Sequence, residues 1–264
     1  MEDIIYEYEH DRDPNFIVST NANNRVPKHF HKCIEILYIT QGELLTTVND
    51  ESFIADKDDI VFIRNYCVHS FATDSTYEKF LLIVPSNYSG SVNKILQNST
   101  LPAKLSDKEF NRKLLPIIKN LYDECSTMPA LVKKGYYNVL MGYLFDHYPL
   151  SPVKTNGSID FIVDVLQYIN AHYTEELTLD SLSSNFGYNK YYFSRLFNTY
   201  VGESLSNYIN IVRAQHFMKI ARDMESLSIS SLAHQCGFDS LTTFYRCFKK
   251  LYGATPKAYF AQKA

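Results

Sequence analysis

Imidazole and carboxylate side chains gather in a short stretch near the front of this chain. His29-Phe-His31 is followed by Glu35 after three residues and by Gly42 after six more, and His69 comes from a later segment. Positions 29, 31 and 35 share parity, so on one β-strand their side chains would point to the same face. Three imidazoles and a carboxylate suit Fe, Mn, Ni or Zn. The same groups can instead line a ligand pocket or satisfy one another. A second chemistry lies in the last third, where Phe193-Ser-Arg195-Leu-Phe197 and Phe244-Tyr-Arg246-Cys-Phe248 repeat one pattern. Arginine on an exposed helix face can make a bidentate contact to guanine O6 and N7, or hold a phosphate.

These arginines belong to a longer repeat. Leu177–Leu182 runs to Gly187-Tyr188 and Leu227–Leu232 to Gly237-Phe238, while Gly202 and Tyr208 match Gly253 and Tyr259. The offset is 50 residues up to the glycine and 51 beyond it, so the second copy carries one extra residue in its turn. Each copy predicts a short helix, a glycine turn and a second helix, the arrangement that lays a recognition helix in the DNA major groove. Phe193, Leu196, Phe197 and Tyr200 fall on one apolar face, with Lys190, Tyr191, Ser194 and Arg195 opposite. In the second copy Phe244, Cys247, Phe248 and Leu251 form the buried stripe, leaving Leu241, Thr242, Tyr245, Arg246 and Lys249 outward. Gly187 and Gly237 fall where the first helix must end in a left-handed residue.

The front half has a different period. Ile34–Ile39, Leu44–Val48, Phe53–Ala55, Ile60–Ile63, Val68–Ala72 and Phe80–Val84 are short apolar or alternating runs. Turn signals at Gln41-Gly42, Asn49-Asp50 and Asp58-Asp59 separate them, which predicts an all-β sandwich or barrel. Helical periodicity takes over at Asp107–Cys125 and Ala130–His147. Two apolar stripes follow, Leu114, Leu115, Ile118, Leu121 and Tyr122 on one, Val139, Leu140, Tyr143, Leu144 and Tyr148 on the other. The proline- and glycine-bearing stretch 149–158 reads as a linker, with Ser158 or Asp160 opening the next helix.

Composition narrows the function classes. The chain has 264 residues, 45% of them hydrophobic, enough for two folded domains. Net charge is -3, and from Ile159 onward 10 Lys and Arg stand against 9 Asp and Glu. Nucleic-acid affinity must then rest on a few placed cations rather than a broad basic field. Five cysteines without a Cys-x-x-Cys pair argue against framework disulfides and a zinc finger. No basic leader, signal-length apolar run or stretch of ~20 apolar residues occurs, so a cytoplasmic location and no membrane partner are expected.

Leu177–Tyr259 resembles the paired helix-turn-helix domain of the AraC/XylS family of bacterial transcription regulators. Gly237-Phe238-Asp239-Ser240, Phe244, Phe248-Lys249-Lys250, Gly253 and Thr255-Pro256 follow that family's signature. Tyr208–Arg213 is similar to the start of its long linking helix. Phe217 departs from the usual alanine and Ser231 from a common acidic residue, and no arginine follows Tyr259-Phe260. The resemblance implies two recognition helices entering successive major grooves about 34 Å apart. Lys190, Tyr191, Ser194 and Arg195 would face one groove and Leu241, Thr242, Tyr245 and Arg246 the other, with Lys249 and Lys250 near the backbone. The front motif resembles the cupin pattern His-x-His-x3-Glu-x6-Gly with a later His, which in cupin enzymes builds a metal site. Asp58, Arg64 and Tyr66 stand where those enzymes usually have Gly, Pro and Gly, and regulators of this family commonly keep His-x-His without a metal.

The expected architecture is therefore a multidomain α and β protein. A cupin-like, jelly-roll β-barrel spans 1–100, a helical dimerisation or packing segment 101–148, a linker 149–158, and an all-α domain with two helix-turn-helix units 159–264. The expected function is a sequence-specific, dimeric transcription regulator, an activator working with RNA polymerase on promoter DNA. Its effector, a sugar or related metabolite, would be bound by His29, His31, Glu35, Tyr38, Arg64 and His69. No cofactor is expected, and His29, His31, Glu35 and His69 are the ligands if a metal is present. The alternatives are a metal-dependent cupin enzyme fused to a DNA-binding tail, and a regulator with a vestigial pocket controlled by a partner protein.

Overall fold

The computed structural model describes residues 4–7, 17–20, 25–49, 51–73, 76–85, 88, 90–153, 157–221 and 228–261. Asp50 of the predicted turn, residues 154–156 of the predicted linker and Leu227 of the second repeat lie outside them. Two compact units, Met1–Thr155 and Asn156–Ala264, make up the chain.

The first unit is β-rich. Its strands are β1 (Ile5–Tyr6), β2 (Ile17–Ser19), β3 (Val26–Phe30), β4 (Ile34–Gln41), β5 (Glu43–Val48), β6 (Glu51–Asp56), β7 (Ile60–Ile63), β8 (His69–Ala72), β9 (Glu78–Val84), β10 (Ser99–Thr100), β11 (Lys104–Leu105) and β12 (Ser151–Pro152). Two five-stranded sheets form, in the orders β1-β3-β8-β5-β6 and β11-β7-β4-β9-β2, and β10 pairs with β12. This is the predicted β architecture. Three helices accompany it, α1 (Gly90–Leu96), α2 (Lys108–Asp123) and α3 (Ala130–His147). The segment 149–158, expected to be plain linker, thus contains the short strand β12, Pro152 being tolerated because the pair is only two residues long.

β4 explains why the unit has two cores. Leu37 and Ile39 join Leu44, Val61, Phe71, Leu81 and Ile83 between the sheets. The alternate residues Ile34, Ile36 and Tyr38 pack outward against Leu114, Ile118, Leu121, Leu140 and Leu144 of α2 and α3. With both faces covered, the strand reads as an unbroken apolar run. Each such side chain, fully buried, contributes about 1.5–3 kcal/mol over leaving it exposed. The α2 stripe is therefore spent on the β domain. The α3 stripe divides, since Leu140 and Leu144 are buried while Val139 and Tyr143 stay exposed.

Left-handed backbone marks the turns. Asp58 (φ 67°) and Tyr66 (φ 63°) occupy positions where the cupin pattern has glycine, and both adopt the conformation that glycine would serve.

The second unit is helical: α4 (Gly157–Ala171), α5 (Leu179–Asn185), α6 (Lys190–Val201), α7 (Leu205–Ala221), α8 (Ile229–Gln235), α9 (Leu241–Tyr252) and α10 (Pro256–Ala261). α4 starts one residue before the predicted Ser158. Phe217, the departure from alanine on α7, is buried against the rings of Phe244 and Phe248, so the second unit's core is built around an aromatic.

Candidate functional site

The two helix-turn-helix units share their turns and the caps of their second helices, but not the caps of their first, since Ser228 at the start of α8 makes no side-chain cap bond. α5 begins with a capping box, in which Thr178 Oγ1 accepts from Ser181 N at 3.0 Å and Thr178 N donates to Ser181 Oγ at 3.0 Å. Gly187 (φ 71°) and Gly237 (φ 88°) turn the chain, then Asn189 and Ser240 cap α6 and α9 by accepting from Tyr191 N and Thr243 N. The extra turn residue accounts for the change of offset. Gly202 (φ 70°) and Gly253 (φ 75°) end the two recognition helices in the same left-handed conformation.

Phe193, Phe197 and Val201 on α6 and Phe244, Phe248 and Leu251 on α9 are buried. Leu196, Tyr200 and Cys247, expected to be buried with them, are half-buried. Lys190, Tyr191 and Arg195 are exposed, as are Thr242, Tyr245, Arg246, Lys249 and Lys250, while Ser194 and Leu241 are half-exposed. Tyr191 is 77% exposed, a large aromatic held in solvent. Among these exposed residues, Lys190 and Lys250 lie in ion pairs: Lys190 Nζ is 3.4 Å from Asp180 and Lys250 Nζ 2.9 Å from Glu203. Such exposed pairs are worth about 0–1 kcal/mol and yield readily to a phosphate.

α7 fixes one copy of the repeat from within. Arg213 donates from Nε to Tyr173 O and from Nη2 to Glu175 O, both at 2.8 Å. A Cβ on Gly237 would stand 2.7 Å from Tyr173 O and 2.9 Å from Arg213 Nε, whereas a Cβ on Gly187 meets nothing within 4 Å among the described residues. The aligned glycines thus share a backbone conformation but not a neighbourhood.

In the β unit, four predicted polar residues converge. His29, His31, Glu35 and His69 are buried, and one ligand atom from each lies within 4.8 Å of the others. They do not share a strand. His29 lies on β3, His31 just beyond its end, Glu35 on β4 and His69 on β8, because a bend at Lys32-Cys33 carries the chain from one sheet to the other. Convergence comes instead from the pairing of β3 with β8 and from the inward face of β4. Glu35 Oε2 is 3.0 Å from His31 Nε2 and 3.1 Å from His69 Nε2. The three Nδ1 atoms face backbone carbonyls, of Pro27 for His29, Cys33 for His31 and Cys67 for His69. Burial, which alone would raise the Glu35 carboxyl, is overridden by the two histidine bonds, and the group lies well below the ordinary carboxylate range. Burial, reinforced by neighbouring His69, lowers His29 to about 4.

Two expected pocket residues lie elsewhere. Tyr38 has the opposite parity to Glu35 on β4, so it packs toward α2 and α3 and donates to Asp58 at 2.8 Å. Arg64 follows inward-facing Ile63, and its Nε is held by Leu96 O at 2.9 Å, at the end of α1. One interior residue escaped the sequence reading. β9 starts at Glu78, two residues before the predicted run, and this places Lys79 on the same face as Leu81 and Ile83. Alternation extended backward from Leu81 was the available signal.

A buried polar cluster inside a β domain, joined in one chain to paired recognition helices, defines a ligand-responsive DNA-binding protein. Family models match at both ends, an AraC-like ligand binding domain over residues 16–124 and a helix-turn-helix domain over residues 182–262. The chain belongs to the AraC/XylS family of transcription regulators. It is 22% identical to the HTH-type transcriptional regulator YdeC of Bacillus subtilis, over 92% of this chain and 88% of that one. It is 35% identical to the regulatory protein PocR of Salmonella typhimurium over 37% of this chain, a match that spans only 32% of PocR. Among solved structures, ToxT of Vibrio cholerae with a bound unsaturated fatty acid aligns at 15% identity over 94% of this chain and 95% of that one, TM-score 0.43. Among the described residues no helix is long and apolar enough to cross a membrane.

Proposed function

We propose that this regulator is a dimeric, cytoplasmic transcription activator whose two recognition helices read successive major grooves of one promoter face and engage RNA polymerase there. The observation that carries this reading is the placement of Arg195 on α6 and Arg246 on α9, both exposed and both between buried phenylalanines. Lys190, Tyr191 and Ser194 flank the first arginine, and Leu241, Thr242 and Tyr245 the second. Lys249 and Lys250 suit the phosphate backbone. A small polar molecule, a sugar or related metabolite, is the proposed effector in the β domain, where His29, His31, Glu35 and His69 supply buried polar groups. Its binding shifts the population of DNA-competent arrangements. Thermal-shift screening of sugars and metabolites, followed by promoter-binding titrations with each stabilising compound, tests the reading. A stabilising compound that leaves promoter affinity unchanged counts against it.

One observation favours a second reading of the same cluster. In His31 and His69 one ring nitrogen faces a backbone carbonyl and the other faces Glu35 Oε2. A neutral ring has only one N–H and cannot donate to both acceptors. A divalent cation between ring nitrogens and carboxylate removes that conflict. The donor set fits such an ion, because metal-bound histidines usually give the remaining N–H to a carbonyl. His29, His31, Glu35 and His69 would hold it. Near-stoichiometric iron, manganese, nickel or zinc in the purified protein supports this reading, and metal-free protein with unchanged melting behaviour removes it.

A further inference from the structure

Lys79 carries a charge into the interior of the β domain. It is 3% exposed and points, by the alternation of β9, to the side of Leu81 and Ile83. Its Nζ lies 5.1 Å from the centroid of the Phe71 ring and 5.5 Å from that of Tyr77. Among the described residues, no acceptor lies within hydrogen-bonding or ion-pairing distance of that nitrogen. The Glu35 carboxylate acts on it only at longer range, and Glu35 Oε2 is already shared by His31 and His69.

A second polar group stands in the same interior without a partner. Thr46 on β5 is fully buried, and among the described residues its Oγ1 has no hydrogen-bond partner. Thr46 is paired across the sheet with Phe71, the residue whose ring Lys79 overlies. Phe71 in turn adjoins His69, with ring centroids 5.5 Å apart. Lys79 and Thr46 thus sit on inward strand faces beside Phe71, which itself adjoins the histidine cluster.

We propose that Lys79 and Thr46 form an anion subsite inside the β domain that takes the carboxylate of a small organic acid. Aromatic faces offset about 2 kcal/mol of a desolvated cation's loss, against several kcal/mol for removing the charge from water. A carboxylate supplies what they lack, since it accepts from an ammonium and a hydroxyl together. A neutral sugar would satisfy Thr46 and leave the charge uncompensated. The proposal rests on the reading that the β domain holds the effector and narrows that effector to an anion.

The test is thermal melting of the full-length protein with hexanoate, benzoate and 2-oxoglutarate, beside hexanamide, benzamide, glucose and arabinose, repeated on Lys79→Met and Lys79→Arg. The expected result is a saturable rise in Tm with at least one carboxylate and none with its amide. Unliganded Lys79→Met melts at or above the parent, because an unpaired buried charge has been removed, and no longer responds; Lys79→Arg retains part of the response. Three results overturn the proposal: no carboxylate shift in the parent, equal shifts with acid and amide, or an undiminished response in Lys79→Met. A Lys79→Met protein melting several degrees below the parent also overturns it, marking Lys79 as a structural cation. A sugar that raises the Tm of both parent and Lys79→Met defeats the anion subsite while leaving the effector-domain reading intact.

Discussion

Tyr38 donates its hydroxyl to Asp58 at 2.8 Å, and Asp58 receives that bond from a left-handed backbone at φ 67°. Arg112 donates to the other Asp58 oxygen at 3.1 Å. Burial alone would raise this carboxyl, but the two bonds hold it below the usual range. Strain in the turn is thus offset by a side chain that ties the turn to α2.

Two substitutions separate those contributions. Asp58→Gly removes the bonds and relieves the strain, whereas Asp58→Ala removes the bonds and keeps it. The alanine variant is expected to be less stable than the glycine variant by about 1–2 kcal/mol, both falling below the parent. Urea denaturation checks the order, and an alanine variant as stable as the glycine one would contradict the assignment.

The aligned glycines of the two repeats offer a second comparison. Gly187→Ala meets only the left-handed backbone preference, about 1–2 kcal/mol. Gly237→Ala adds a collision with Tyr173 O and the Arg213 guanidinium, so its destabilisation is expected to exceed that of Gly187→Ala clearly. Equal melting temperatures for the two variants would show that the α7 contact yields freely.

His29 gives the β domain a pH dependence. Its folded value of about 4 lies below the ordinary 6.5, so between these values the unfolded chain binds the extra proton. This contribution is complete above pH 6.5 and is lost as pH falls toward 4, on the order of 3 kcal/mol in all. Denaturation midpoints measured from pH 7 to pH 4.5 should fall steeply in the parent and less steeply in His29→Gln.

DNA affinity should respond to Arg195→Ala and Arg246→Ala with losses of about 1–3 kcal/mol each, and with relaxed preference at one base pair. Lys249→Ala should instead weaken all sequences alike and lessen the salt dependence. Parent-like affinity in both arginine variants would defeat the base-contact assignment.

Association is predicted to use the face of α3 that the β domain leaves open. Val139 and Tyr143 are 48% and 52% exposed there. Val139→Glu or Tyr143→Glu should convert dimer to monomer in sedimentation without lowering the Tm of the monomer. A dimer that survives both changes places the interface elsewhere.

The paired helix-turn-helix units were legible in the sequence because their determinants are local. Phe193, Phe197, Phe244 and Phe248 repeat at helical period, and Gly187 and Gly237 sit where the chain needs positive φ. The one-residue shift in offset even located the longer turn. The strands β4 to β9 were legible for the same reason, since apolar runs and turn residues follow one another along the chain, whereas the shorter strands before and after them were not. What each interior face holds was not legible, because parity along one strand says nothing once the chain bends into the other sheet. His29, His31 and Glu35 meet through β3, a bend and β4 rather than along one strand. Tyr38, three residues from Glu35, faces the other core. Lys79 joined the interior only because β9 begins earlier than its apolar run. Local chemistry in the sequence determined the helices, the central strands and the exposure of Arg195 and Arg246. Strand pairing and the packing of α2 and α3 decided which polar groups are buried together, since burial is set by neighbours distant in the chain.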